Sequence, residues 1–160
     1  MTLRDEITAA DEGPIRAMVR ATGMFREDEV DVAAELVRER ARLGDPSGYH
    51  FLVAEDESGA LGGYACFGPI PCTLTSWDLY WIVVAPERQR QGLGRRLLAA
   101  AEVTVARRGG LRIYVDTSGS PRYTATRAFY ERAGYAVAAR LEDFYAPGDA
   151  KVIYTRTLPR

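Results

Sequence analysis

The chain reads as a mixed α/β domain with an antiparallel first half, and three observations predict this. Strand-length apolar runs and helical-period segments follow one another as β-α-α-β-β-β-α-β-α-β-β. A β-branched run ending at Val84 leads through a glycine-bearing polar loop directly into a leucine-rich helix, the signature of a strand-loop-helix unit. The 160 residues, 47% hydrophobic and 27% charged, are enough to enclose one core. One domain over residues 1–160 is therefore expected.

Residues 3–7 read as a short first strand. Asp11, with Glu12 and Pro14 behind it, has the composition of an N-cap and first turn for a helix carrying Ile15, Met18 and Val19. Residues 28–43 form a second amphipathic helix with Val32, Leu36 and Leu43 inward, stopped by Gly44-Asp45-Pro46. Residues 49–55 and 61–67 pair as a hairpin across Asp56-Glu57-Ser58-Gly59, and Gly68-Pro69-Ile70-Pro71 breaks the second strand. The long strand 74–84 alternates: Asp78, Tyr80, Ile82 and Val84 share one face, Trp77, Leu79, Trp81 and Val83 the other. A helix over 94–108 ends at Gly109-Gly110, and a strand follows at 111–117. A short helix, 124–133, closes on Gly134, and strands 135–141 and 152–158 are joined through Tyr145-Ala146-Pro147-Gly148-Asp149.

Charge and composition exclude several functions. With 21 cationic and 22 anionic side chains the net charge is −1, so no nucleic-acid binding is expected. No apolar run has membrane-spanning length, and Met1-Thr2-Leu3-Arg4-Asp5-Glu6 lacks the basic and apolar regions of a signal peptide. Cys66 and Cys72 are too few for a disulfide framework, so a cytoplasmic location is expected, with no membrane partner. Both cysteines read as small apolar residues, and with His50 the only histidine no metal is expected.

The chemistry concentrates between Val84 and Leu97. A helix start carries unpaired N–H groups and partial positive charge, and so can hold an anion. Gly92 and Gly94 keep side chains away from those amides, while Arg88, Arg90, Arg95 and Arg96 surround the loop. The loop is thus a seat for pyrophosphate. No Gly-x-x-x-x-Gly-Lys-Ser/Thr string exists for a P-loop, and a dinucleotide fingerprint would need a third glycine where Leu97 stands. Gln89-Arg90-Gln91-Gly92-Leu93-Gly94 instead resembles the Gln/Arg-x-x-Gly-x-Gly/Ala loop of the GNAT superfamily of N-acetyltransferases. A later segment, Thr126-Arg127-Ala128-Phe129-Tyr130-Glu131-Arg132-Ala133-Gly134-Tyr135, is similar to that family's Ala-x-x-Leu-Tyr-x-x-x-Gly-Phe stretch, with Phe129 and Tyr135 in its Leu and Phe places. Tyr123 stands where the family often has Asn. The element order resembles the family along nearly the whole chain.

This resemblance implies a mixed sheet of about seven strands, splayed at its centre and flanked by about four helices. It implies acetyl-CoA as cosubstrate, its pantetheine arm pairing with the backbone of Ile82, Val83 and Val84. The pyrophosphate would take the loop that starts at Gln89, on the amides of Arg90, Gln91, Gly92, Leu93, Gly94 and Arg95. The reaction implied is direct attack of a primary amine, on a small molecule or a protein, in a ternary complex. An alkylammonium titrating near ~10 must first lose a proton, and Asp78 or Asp116 stands where family members place the accepting group. Tyr130 matches the tyrosine that reaches toward the CoA sulfur, as general acid and cofactor contact. The loop 68–75 and the hairpin Glu142-Asp143-Phe144-Tyr145 fall where the family gathers its substrate walls, and Tyr80 shares the face of Asp78. Trp77 and Trp81 read as core, with Trp77 the one to line a pocket. Glu142, Asp143, Asp78 and Asp116 would make that region acidic, as suits a cationic amine. Asp78 and Asp116 also read as a strand-edge carboxylate and a turn former, and Tyr130 as a core tyrosine. The resemblance allows a homodimer through the late strands. From another class, a catalytically silent acyl-CoA-binding sensor also fits the loop.

Overall fold

Branched and aromatic runs bounded by Gly and Pro become the strands, and the 3.6-period segments become the helices. The computed structural model describes residues 1–159. In chain order these are β1 (Thr2–Arg4), α1 (Glu12–Ala21), α2 (Glu27–Leu43), β2 (His50–Glu55), β3 (Leu61–Pro69), β4 (Ser76–Val84), α3 (Leu93–Arg107), β5 (Arg112–Ser118), α4 (Thr124–Arg132), β6 (Ala136–Ala146) and β7 (Asp149–Thr157). The seven strands form a mixed sheet in the order β1-β2-β3-β4-β5-β7-β6. Pairs β1–β2, β2–β3, β5–β7 and β6–β7 are antiparallel, and β4 pairs with β5 in parallel. The parallel register runs from Ser76 opposite Arg112 to Asp78 opposite Tyr114, and β4 continues beyond it to Val84.

The chain divides into two compact units, Met1–Gly68 with Trp81–Thr104, and Pro69–Tyr80 with the described residues from Val105 onward. In the first, Ile15 and Val19 of α1, Val30 and Val37 of α2, Phe51 of β2 and Tyr64 of β3 form the centre of a core from which water is excluded. The buried face of α2 differs from the expected one. Val30, Ala33, Ala34 and Val37 are buried, whereas Val32 and Leu43 are exposed and Leu36 is half-buried. Small alanines let α2 pack closely, so its inward stripe is set by backbone approach rather than by its largest side chains.

Asp11 stands at the N-cap position of α1, but its side chain makes no capping bond. It accepts instead from Arg4 Nη2 at 2.5 Å and from the Thr8 amide at 2.8 Å, and Arg4 Nε donates to Glu55 at 2.7 Å. Burial pushes the Asp11 carboxyl up, but Arg4 and the Thr8 amide outweigh it and hold the group below the usual carboxylate range. A depressed folded pKa contributes stability that is whole above about pH 4 and drains away as pH falls through the folded value. Asp11→Asn is therefore expected to cost about 2 kcal/mol at pH 7, and urea melts should show that difference shrinking below about pH 4.

In the second unit β5, β7 and β6 form an antiparallel block over Trp77, Ile113, Val115, Tyr130 and Tyr154, all buried. The last hairpin is longer than expected. Residues 142–146, whose Glu-Asp pair reads as a turn, are strand, and only Pro147 and Gly148 turn the chain between β6 and β7. The register shift between Leu141 and Ala146, with Asp143 at φ +54°, absorbs the extra residues as an irregularity of the strand. Gly134 follows α4 at φ +86°, the left-handed position only glycine takes without strain. Among the described residues no helix is long and apolar enough to cross a membrane. Cys66 is buried and Cys72 exposed, both as free thiols.

Candidate functional site

The glycine loop belongs to the first unit and is shaped by its own hydrogen bonds. Ala85 N donates to Gly62 O at 2.9 Å, tying the end of β4 to β3. Pro86–Arg88 then makes one 3-10 turn, closed by Arg88 N on Ala85 O at 2.8 Å. The Gln89 side-chain amide donates to Val84 O at 3.1 Å, and that of Gln91 to Glu87 O at 3.1 Å, so both glutamines brace the turn. Arg90 at φ +60° and Gly92 at φ +78° swing the chain through two left-handed residues, the geometry that aims successive N–H groups into one concavity.

The first amide to join the α3 ladder is Arg96 N, on Gly92 O at 3.1 Å. The amides of Arg90, Gln91, Gly92, Leu93, Gly94 and Arg95 donate to nothing among the described residues. A Cβ built at Gly92 meets no atom within 4 Å, so the space over the loop is open. Two of the four arginines expected around it have protein partners: Arg88 lies 3.5 Å from Asp56, and Arg96 donates to Met1 O at 3.2 Å. Arg90 and Arg95 are exposed, and Leu93 turns into the core. On β4, Val83 is buried while Ile82 and Val84 are half-buried, as the alternation predicts. A Cβ at Gly63 would stand 2.9 Å from Val83 O, so that glycine permits the close approach of β3 to this strand.

The second unit carries the other expected residues. Asp78 is half-buried on β4, opposite Tyr114 of β5, with Tyr80 two residues along on the same face. Burial, and then the negative charge of Asp116, push the Asp78 carboxyl above its ordinary range; Lys151 opposes them. Asp116 itself forms an ion pair with Lys151 Nζ at 2.6 Å. The ammonium also lies 4.5 Å from the centre of the Phe144 ring, which packs edge-on against Tyr145 at 5.0 Å. Phe144 and Tyr145 are exposed, as is Tyr80. Trp77 is not brought together with them; it is buried on the opposite pleat face, where a Cβ at Gly110 would stand 2.6 Å from its ring.

Tyr130 of α4 is buried among Phe129, Tyr135 and Tyr154, with ring centres 5.1, 5.6 and 6.2 Å away. Burial drives its phenol well above the usual value, so it stays protonated. Tyr154 donates to Glu131 at 2.7 Å, and burial followed by that carboxylate raises its phenol to about 12. The acidic character expected of the last hairpin is largely internal: Glu142 pairs with Arg140 at 2.5 Å, and Asp143 accepts from Gly148 N at 2.7 Å.

Lys151 is the residue that reading by motif misses, since it lies in no motif. Its signal is compositional: it is the one lysine in the chain, all other cationic side chains being arginine. Among the described residues no three of His, Cys, Asp and Glu gather into a metal-holding group.

The family model for the Acetyltransferase (GNAT) domain matches residues 47–137. A crystal structure from Desulfovibrio desulfuricans assigned to the GNAT family of acetyltransferases is similar at 45% identity over 99% of each chain, with a TM-score of 0.95. An aminoglycoside 6'-N-acetyltransferase in complex with coenzyme A shares the fold at 23% identity and a TM-score of 0.82, over 100% of this chain and 99% of that one. The uncharacterized N-acetyltransferase YuaI of Bacillus subtilis (strain 168) is 52% identical over 50 residues, which span 30% of this chain and 29% of that protein.

Proposed function

Since the chain belongs to the GNAT family of acetyltransferases, we propose that it moves an acetyl group from acetyl-CoA to a primary amine by direct attack in a ternary complex. The observation that carries this reading is the run of six undonated amides, 90–95, at the start of α3. Fixed N–H groups at a helix start hold a pyrophosphate without reorganising, and the helix dipole adds to them. Gly92 leaves the approach open, and the two glutamine side chains keep the turn in place before any ligand arrives.

When bound, acetyl-CoA supplies the thioester carbonyl and a thiolate leaving group. The backbone of residues 82–84 offers strand-type donors and acceptors to an extended arm. Asp78 takes the proton of the acceptor ammonium, directly or through water. Its raised pKa brings it closer to the amine and makes it a better base than an ordinary carboxylate. Asp116, tied to Lys151, is the weaker candidate for that task. Tyr130, kept protonated by burial, donates a hydrogen bond to the departing sulfur rather than surrendering its proton outright.

The test is thiol release from acetyl-CoA with a panel of primary amines, beside a thermal-shift titration with acetyl-CoA. Release that depends on both amine and enzyme is expected. Stabilisation by acetyl-CoA with no release on any amine would instead identify a silent acyl-CoA sensor.

A further inference from the structure

The second unit contains six carboxylates: Asp78, Asp116, Glu131, Glu142, Asp143 and Asp149. Two are paired to cations of the protein itself, and three accept hydrogen bonds from its neutral donors. Asp116 holds Lys151, Glu131 accepts from Tyr154, Glu142 holds Arg140, Asp143 accepts from Gly148 N, and Asp149 accepts from Ser118 Oγ at 2.5 Å. Asp78 alone has neither a hydrogen bond nor an ion pair among the described residues. The exposed aromatic side chains of this unit include Tyr80, two residues along the strand from Asp78, at 38% exposure, and Phe144 and Tyr145 of the last hairpin, at 52% and 47%.

Lys151 sets this pattern. It is the one lysine of the chain, placed on β7 opposite Leu141 of β6 and Ser118 of β5. Its side chain is only 18% exposed, while that of its partner Asp116 is 47% exposed. The ammonium is held from two sides, by the carboxylate at 2.6 Å and by the Phe144 ring at 4.5 Å. A compact point charge on a flexible stem fits beneath an aromatic ring and against a single carboxylate oxygen.

We infer that Lys151 is a resident cation occupying the place on Asp116 that a second ammonium of the acceptor would take, so that the acceptor is an amine with one positive charge beside an aromatic or apolar body. The inference rests on the amine-acetylation reading and names its substrate class. A monocationic amine satisfies Asp78 and lays its apolar part on the exposed rings. A polyamine or an aminoglycoside would bring further ammonium groups against Lys151, which already holds Asp116. Like-charge juxtaposition of this kind discriminates by repulsion rather than by new contacts.

The test compares phenethylamine with spermidine as acceptors in wild type, Lys151→Met and Lys151→Arg, with kcat and KM measured separately. Wild type is expected to favour phenethylamine in kcat/KM by about tenfold or more. Lys151→Met, which keeps the stem and frees Asp116, is expected to move that ratio toward spermidine by about tenfold, mainly through a lower spermidine KM. Lys151→Arg is expected to keep the wild-type order. A defect of folding alone would lower both amines together, and thermal melts of the three proteins control for it. Equal use of both amines by wild type, or a ratio unmoved in Lys151→Met, overturns this inference while leaving acetyl transfer intact. Turnover of neither amine by wild type overturns the acetylation of small amines and this inference with it.

Discussion

Asp78→Asn is expected to lower kcat about a hundredfold while raising the melting temperature at pH 7. The two effects have one origin. Half-burial and the neighbouring Asp116 charge lift the Asp78 carboxyl above its ordinary range, so the fold favours the protonated form. For such a group the stabilising contribution is present at low pH and is lost as pH rises through the folded pKa. At pH 7 the ionised side chain is a liability, which the neutral amide of Asn removes. The gain in melting temperature should vanish as pH falls toward about 4, where wild type also carries a neutral group. In the wild-type rate profile, the acid limb of kcat/KM should lie above the ordinary carboxylate value of about 4 and disappear in the variant. An unchanged kcat would remove Asp78 from the proton path and pass that task to Asp116 or to water.

Tyr130→Phe is expected to lower kcat at least about tenfold and leave acetyl-CoA affinity and stability nearly unchanged. The ring contacts with Phe129, Tyr135 and Tyr154 survive in phenylalanine, so the change in folding free energy should stay within about 1 kcal/mol. What is lost is a phenol that burial keeps protonated throughout the working range. The thiolate then departs without its hydrogen bond. Steady-state kinetics beside a calorimetric Kd separate the two quantities, and full retention of kcat would make Tyr130 a packing residue only.

Much of this molecule is legible in its sequence, for reasons that differ from place to place. The strand faces of β4 follow from period-two alternation, because Trp77, Leu79 and Val83 are buried while Asp78, Ile82 and Val84 are half-buried and Tyr80 is exposed; Trp81, half-buried, is the exception. The start of α3 was visible because Gly92 and Gly94 have a local physical meaning that does not depend on the rest of the chain. The inward face of α2 is not legible in the sequence, since hydrophobicity ranks Val32 and Leu43 above Ala33 and Ala34 while close packing ranks them the other way. The length of the last hairpin is hidden because Glu142 and Asp143 have the composition of turn residues, and only their partners Arg140 and Gly148 make them strand. Lys151 was invisible for the same reason. Its meaning lies in Asp116 and Phe144, one on another strand and one across a hairpin, and no window along the sequence contains all three.

The central claim is that the amides of 90–95 hold the pyrophosphate of coenzyme A. Calorimetric titration of acetyl-CoA into wild type and into Gly92→Val tests it most directly. A β-branched residue at φ +78° is strained by about 1–3 kcal/mol and adds bulk where the space over the loop is open. One site per chain is expected in wild type, with Kd at least about tenfold weaker in the variant. Absence of measurable binding to wild type, or equal affinity in a folded Gly92→Val protein, would contradict the account.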